Sequence, residues 1–142
     1  MRILIVDDSV EYRRYLRRIL LEQEDLFLEG EAADGEAGIL LAQQLRPDVI
    51  LMDIHLPGMD GLDATRRIKE QLARTGVIIL SNDEAYHDAA ADCGADAFLS
   101  KYSSISEILA AIRRMQPAQA GCPSRQVDSE RKCERGAPNF HF

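Results

Sequence analysis

At 142 residues, with 46% hydrophobic residues and a formal net charge of −7, the chain has the size and composition of one globular domain with room for a short tail. The acidic balance argues against nonspecific nucleic-acid binding, which depends on Lys and Arg side chains at phosphates. No apolar run reaches the roughly 20 residues of a membrane-spanning helix, and the N-terminal apolar stretch is too short for a secretory signal. We therefore expect a cytoplasmic protein that does not interact with membranes.

Strands and helices are predicted to alternate along the first 115 residues, because short apolar runs alternate with segments of helical periodicity. Ser9 is a good N-cap for the first helix, and Pro47 ends the second. Asp34-Gly35 is predicted to form a turn. The predicted strands cover residues 2–6, 26–32, 49–52, 77–80 and 97–99, and the predicted helices cover about 9–22, 37–45, 62–72, 84–93 and 105–115.

This alternation predicts an α/β fold with a five-stranded parallel sheet and right-handed crossovers. Five strands favour the flavodoxin-like, doubly wound order 2-1-3-4-5, with helices on both faces. The topological switch point, where open α/β sheets bind ligands, then lies between strands 1 and 3.

Acidic residues follow both strands at this switch point. Asp7 and Asp8 come directly after the first strand, and Asp53 ends the third, an apolar run typical of a strand buried on both faces. Each residue alone has a simpler interpretation, because an Asp after a strand can merely cap a loop or a helix. Their shared position makes a common site the better interpretation.

Three neighbouring carboxylates repel one another unless a cation joins them. A hard divalent ion such as Mg²⁺ prefers oxygen ligands and keeps room for a phosphoryl oxygen. Lys101 after strand 5 adds a positive charge, and Ser81 after strand 4 adds a hydroxyl donor. Such a pocket could stabilise a phosphoryl group during transfer, and Asp53, the central acid, is the candidate nucleophile.

With these residues, the sequence resembles the receiver domains of bacterial two-component response regulators. The resemblance covers about residues 2–115 and includes the segment Leu56-Pro57-Gly58-Met59-Asp60-Gly61 after the third strand. Because residues 116–142 show no helical periodicity, we expect the chain to resemble the chemotaxis-type, single-domain members of this family. We therefore expect residues 1–115 to form a receiver domain and residues 116–142 to form a disordered or irregular tail, since the tail lacks apolar periodicity.

The resemblance implies that Asp53 accepts a phosphoryl group from a sensor histidine kinase or a phosphotransfer protein. It implies that Mg²⁺ is held by Asp8, Asp53 and the backbone carbonyl of His55, with Asp7 contributing through water. Ser81 and Lys101 would contact the phosphoryl oxygens. Phe98 would be the switch aromatic residue, whose rotamer follows that of Ser81.

The resemblance also implies how the signal leaves the domain. Phosphorylation would change a face formed by helix 4, strand 5 and helix 5, which would bind an output protein or a second copy of the chain. The acidic charge predicts no direct binding to nucleic acid by this chain. Members of the family commonly have Pro after the lysine, whereas Tyr102 follows Lys101 here, so the loop geometry at this point is not predicted.

Two alternatives stay open. The sequence around Lys101 looks like that of receivers attached to a helix-turn-helix domain, so the chain could be the receiver of a truncated transcriptional regulator. An enzyme of the haloacid dehalogenase type, an Mg²⁺-dependent aspartyl-phosphate phosphatase, is disfavoured because it needs an acid two positions after the nucleophile, where His55 stands. We therefore expect a phosphoacceptor and not a turnover enzyme on a small substrate.

Overall fold

The computed structural model describes residues 1–115, and the predicted tail, residues 116–142, lies outside the described residues. The strands are β1 (Arg2–Val6), β2 (Phe27–Ala32), β3 (Val49–Asp53), β4 (Gly76–Leu80) and β5 (Ala97–Leu99). The helices are α1 (Val10–Leu21), α2 (Gly35–Leu45), α3 (Gly61–Gln71), α4 (His87–Asp92) and α5 (Ile105–Arg114). A 3₁₀ turn (Glu84–Tyr86) precedes α4.

The five strands form one sheet in the order β2-β1-β3-β4-β5, and every pairing is parallel. The predicted fold class and strand order are confirmed. All five residues of β3 and of β4 are buried, as expected for central strands covered on both faces.

The core lies in two layers, one on each face of the sheet. Leu16, Ile19 and Leu20 of α1 pack with the apolar side of α5 on one face, while residues of α2, α3 and α4 cover the other. Burying one such Leu or Ile side chain contributes roughly 1.5–3 kcal/mol. The helices are therefore fixed against the sheet mainly by their apolar sides.

Side-chain caps set where several helices begin. Ser9 accepts a hydrogen bond from the Tyr12 backbone N–H at 3.1 Å, and Asp60 caps α3 in the same way. Ser104 and Glu107 form a reciprocal capping box at α5. These caps place the helix N-termini at the edge of the sheet where β1, β3 and β5 end.

Two local predictions differ from the structure. Asp34 is the N-cap of α2 and Gly35 its first residue, so the expected turn is instead a helix start. The fourth helix has only six residues, because the Asp83 carboxylate accepts the Ala85 N–H and Glu84–Tyr86 form a 3₁₀ turn before the α-helix begins.

Candidate functional site

Asp7 and Asp53 lie side by side because β1 and β3 are adjacent and in register. Val6 pairs with Met52, so the next residue on each strand is one of the two acids. Asp7 is 2% and Asp53 is 5% exposed. The neighbouring Asp8 is exposed, and its side chain makes no hydrogen bond or ion pair with residues 1–115.

The structure brings the three predicted acids together. One carboxylate oxygen from each of Asp7, Asp8 and Asp53 lies within 4.8 Å of the other two. Two of these carboxylates are also held by backbone N–H groups: Ser9 donates to Asp7 Oδ1 at 2.8 Å, and Ile54 donates to Asp53 Oδ1 at 2.8 Å.

Lys101 enters the same cluster from the loop between β5 and α5. Its Nζ lies 2.8 Å from Asp7 Oδ2 and 3.4 Å from Asp53 Oδ2. The lysine side chain is only 16% exposed, so the ion pairs are screened less than surface pairs. The structure therefore places Lys101 beside the two buried acids.

The electrostatics of Asp53 indicate a site that disfavours negative charge without a cation. Burial raises the pKa of Asp53 above its usual value of 3.8, and the nearby Asp7 charge raises it further. Lys101 and the Ile54 N–H act in the opposite direction. A positive ion placed among the carboxylates would favour the ionised form of Asp53 and so oppose this increase.

The backbone after Asp53 makes a close turn that depends on glycine. The Gly61 N–H donates to the Ile54 carbonyl oxygen at 2.7 Å. A Cβ atom at Gly61 would lie 1.8 Å from the Asp53 carbonyl oxygen. The start of α3 therefore packs directly against the backbone that carries the central acid.

Ser81 directly follows β4, and Phe98 is the middle residue of β5. Ser81 is buried, and its hydroxyl oxygen accepts the Asp83 N–H at 3.1 Å, which leaves its own proton for another acceptor. Phe98 is 7% exposed, and its ring packs against the His87 ring at 5.6 Å between centroids. The aromatic side chain therefore points inward, under the N-terminus of α4.

His55 lies in the loop after β3, two residues beyond Asp53. Its side chain is exposed, and its ring contacts the Tyr86 ring edge-to-face at 5.3 Å. The backbone carbonyl of His55 accepts no hydrogen bond within residues 1–115. The geometry thus favours the carbonyl over the imidazole as the group available to the acidic cluster.

The loop after Lys101 is closed without a proline. The Tyr102 N–H donates to Ser100 Oγ at 3.0 Å, a bond that proline could not make. The Ser103 N–H donates to the Ser100 carbonyl oxygen at 3.0 Å, and the Lys101 N–H donates to the Ser81 carbonyl oxygen at 3.3 Å. Ser100 therefore holds this loop in place of the usual proline.

Sequence reasoning missed two residues that contact the site. Periodicity places Tyr12 only on the inward face of α1, yet its ring lies under Lys101 Nζ at 4.7 Å. Arg13 donates from Nη1 to the Asp7 carbonyl oxygen at 2.5 Å. The available signal was spacing: Tyr12 stands one helical turn after Asp8, which places it at the same edge of the sheet.

The donor set suits a hard divalent cation. Three carboxylates and a backbone carbonyl are the oxygen ligands that Mg²⁺ prefers, and Asp8 has no competing partner among residues 1–115. The two buried acids are charge-paired on one side only, by Lys101. The residues present therefore fit the magnesium ion that the site chemistry predicts.

Comparisons with known proteins agree with this geometry. Residues 3–113 match the response regulator receiver domain family. The chain is similar to the transcriptional regulatory protein LiaR of Bacillus subtilis, with 40% identity covering 80% of this chain and 54% of the relative. It is also similar to the response regulator protein VraR of Staphylococcus epidermidis, with 37% identity covering 80% of this chain and 56% of the relative.

Among solved structures, the response regulator domain of Thermotoga maritima CheB superimposes with a TM-score of 0.74. It is 33% identical, and the alignment covers 81% of this chain and 95% of that domain. The chain spans about half the length of the curated relatives LiaR and VraR. Within residues 1–115, the structure contains no helix long and apolar enough to cross a membrane. The chain belongs to the receiver domain family of two-component response regulators.

Proposed function

We propose that this receiver domain accepts a phosphoryl group on Asp53 and thereby changes a protein-binding face. The observation that supports this most strongly is the convergence of Asp7, Asp8 and Lys101 on the Asp53 carboxylate. A carboxylate in that position can attack phosphorus. The new bond joins Asp53 to phosphorus, and the bond from phosphorus to the donor breaks, leaving its electron pair on the donor.

Three features of the site support the transfer. The Ile54 N–H fixes one carboxylate oxygen, which restricts the orientation of the nucleophile. Lys101 provides a positive charge close to Asp53, where negative charge on the transferring oxygens has to be stabilised. The Ser81 hydroxyl proton, left available by the contact with Asp83, can be donated to a phosphoryl oxygen.

Asp7, Asp8, Asp53 and the carbonyl of His55 would hold Mg²⁺ in this proposal. The bound ion would neutralise charge on the phosphoryl oxygens during transfer. Because Asp7 also pairs with Lys101 at 2.8 Å, it is the acid best placed to contribute through water. Asp8, which is exposed and unpaired within residues 1–115, would bind directly.

The phosphoryl donor is proposed to be a histidine kinase or a phosphotransfer protein, with the chain acting in the cytoplasm. The domain would store the phosphoryl group and not turn over a small substrate. Ser81 and Phe98 would transmit the modified state to α4, β5 and α5. On that face Tyr102 is 84% exposed and Ile105 is 46% exposed, whereas Phe98 is buried, so Tyr102 and Ile105 are large apolar side chains that an output protein or a second copy could contact.

A second candidate function is control of transcription through an attached output domain. It is favoured by the similarity to LiaR, a transcriptional regulatory protein of which this chain covers about half. Residues 1–115 themselves carry 13 Lys and Arg against 21 Asp and Glu, so this part should repel DNA. A gel-shift assay with the phosphorylated 142-residue chain tests DNA binding by the chain itself: specific binding would support the second candidate, and no binding would leave control of transcription to a DNA-binding domain outside these 142 residues.

Phosphorylation itself is tested with acetyl phosphate as the donor. Incubation with Mg²⁺ should give one phosphorylated species on a phosphate-affinity gel, and chelation of Mg²⁺ should abolish it. Asp53→Asn should not be labelled, while the control Asp92→Asn, an exposed acid of α4, should be labelled normally. Equal labelling of Asp53→Asn and the wild type would refute the proposal.

A further inference from the structure

Tyr12 makes two contacts with Lys101, although it lies 89 residues away in the sequence. The centroid of its ring is 4.7 Å from Lys101 Nζ, within the range of a cation–π interaction. Its hydroxyl donates a long hydrogen bond of 3.4 Å to the Lys101 carbonyl oxygen. One side chain of α1 thus contacts both the charged group and the backbone of the site lysine.

These contacts add an aromatic partner to an ammonium group that already pairs with two acids. Lys101 Nζ lies 2.8 Å from Asp7 Oδ2 and 3.4 Å from Asp53 Oδ2, and 4.7 Å from the centroid of the Tyr12 ring. A lysine side chain is flexible and loses considerable rotamer entropy when fixed. The ring attracts the charge without using a carboxylate oxygen, so its contact is compatible with ligands at those oxygens.

The position of Tyr12 is fixed by contacts within the first turns of α1. Its N–H donates to Ser9 Oγ at 3.1 Å, and the Ser9 N–H in turn binds Asp7. The Tyr15 ring packs beside it with centroids 5.6 Å apart. The same capped turn therefore orients Asp7 and the aromatic ring together.

The contact also fixes the loop where proline is missing. Tyr102 leaves the backbone after Lys101 without the restriction that a proline ring imposes. The Ser100 turn closes the loop internally, while the Tyr12 hydroxyl links the Lys101 carbonyl to α1. In this chain a residue of α1, outside the loop, thus contacts the lysine.

We propose that Tyr12 is the positioning residue of Lys101, holding its ammonium group toward Asp53 for contact with the phosphoryl group. This inference rests on the proposed function, because the lysine is assigned there to the phosphoryl oxygens. Tyr12 acts through the lysine and has no contact of its own with the transferred group.

The first test observes the contact in the metal-free protein. The Tyr12 ring should shift the ε-methylene protons of Lys101 upfield in an NMR spectrum, with the signal assigned by its loss in Lys101→Ala. Tyr12→Phe should keep this shift and Tyr12→Leu should abolish it. The matched control is Tyr15→Leu, which removes a neighbouring ring of the same helix and should leave most of the shift.

The second test measures the acetyl-phosphate labelling rate at saturating Mg²⁺, with Mg²⁺ affinity measured by calorimetry. Tyr12→Leu should lower the rate constant about fivefold to tenfold, the range of a partly desolvated cation–π contact. Tyr12→Phe should stay within about threefold of wild type, because it keeps the ring and loses one long hydrogen bond. Mg²⁺ affinity should change less than about threefold in each variant.

A double-mutant cycle distinguishes positioning from a structural role. If Tyr12 acts through the lysine, Tyr12→Leu in a Lys101→Ala background should change the rate by less than about twofold. An equal loss in both backgrounds, or no loss in either, would overturn the proposal. If circular dichroism shows that Tyr12→Leu is unfolded, Tyr12→Met is used in its place, and the same loss of labelling rate is expected. Persistent labelling of Asp53→Asn would refute the proposed function itself, and the NMR result would still decide whether the contact exists.

Discussion

The close approach of Gly61 to Asp53 predicts that a single methyl group at position 61 displaces the central acid. The Cβ of Gly61→Ala would lie 1.8 Å from the Asp53 carbonyl oxygen and 2.9 Å from the Ile54 Cα. Carbon and oxygen atoms that are not bonded normally stay about 3.3 Å apart, so the two backbones must separate by roughly 1.5 Å. All of the nearest atoms are backbone atoms, which means that a rotamer change cannot relieve the clash.

The expected consequence is a large loss of phosphorylation in a protein that still folds. Misplacing a reacting group by about 1 Å can cost roughly 100-fold in rate, whereas overpacking typically destabilises by about 1–3 kcal/mol. We expect Gly61→Ala to reduce acetyl-phosphate labelling about 100-fold while a folded fraction persists in urea titrations.

Gly58→Ala is the matched control in the same loop. Gly58 has φ +80, and a methyl group added there would meet no atom within 4 Å, so alanine should cost about 1–2 kcal/mol of backbone strain without moving Asp53. Labelling of Gly58→Ala should stay within about threefold of wild type. A Gly61→Ala protein that is labelled at the wild-type rate would refute the claim that this turn positions the nucleophile.

Three further predictions, which use four variants, test other parts of the structure. Thr65 is fully buried and its hydroxyl has no partner within residues 1–115, so Thr65→Val should stabilise the protein by about 1 kcal/mol in urea unfolding. Thr75→Val removes a 3.0 Å hydrogen bond to a backbone carbonyl and should destabilise the protein by about 1–3 kcal/mol. A Thr65→Val protein less stable than Thr75→Val would contradict this reasoning. Lys101→Ala should bind Mg²⁺ at least as tightly as wild type in calorimetry, since a competing positive charge is removed, and a large loss of affinity would show that the lysine supports the metal site. The hydrogen bond from Arg17 lowers the pKa of Glu31 below its usual 4.5. Wild type should therefore be more stable than Glu31→Gln at neutral pH, and this difference should disappear as the pH falls through 4.5 and below the lowered pKa. A stability difference that persists in acid would refute the assignment of this ion pair.

The fold and the strand-end acids could be predicted because both depend on local patterns. Buried parallel strands are continuous apolar runs, so Val49 to Met52 and the acid that ends the run were visible in the sequence. Once the strands are ordered, adjacency of Asp7 and Asp53 follows from the topology alone. Lys101 was found for the same reason, since it follows a strand of the same parallel sheet.

Contacts made across the fold could not be predicted in this way. The interaction of Tyr12 with Lys101 depends on how α1 packs beside the β5–α5 loop, and periodicity indicates only that a residue faces inward. The start of α4 depends on the Asp83 side chain capturing the Ala85 N–H, a local bond that competes with the helix pattern. The closeness of Gly61 to Asp53 requires the path of the turn between them.

The most direct test of the proposed function is to locate the phosphoryl group on the chain. After labelling with acetyl phosphate and Mg²⁺, borohydride reduction converts the acyl phosphate to a stable alcohol that tandem mass spectrometry can place. The arrangement of Lys101 and the backbone N–H groups around the central acid predicts one reduced residue, Asp53. Reduction at Asp7 or Asp8, or an unchanged yield in Asp53→Asn, would contradict the assignment of Asp53 as the phosphoacceptor.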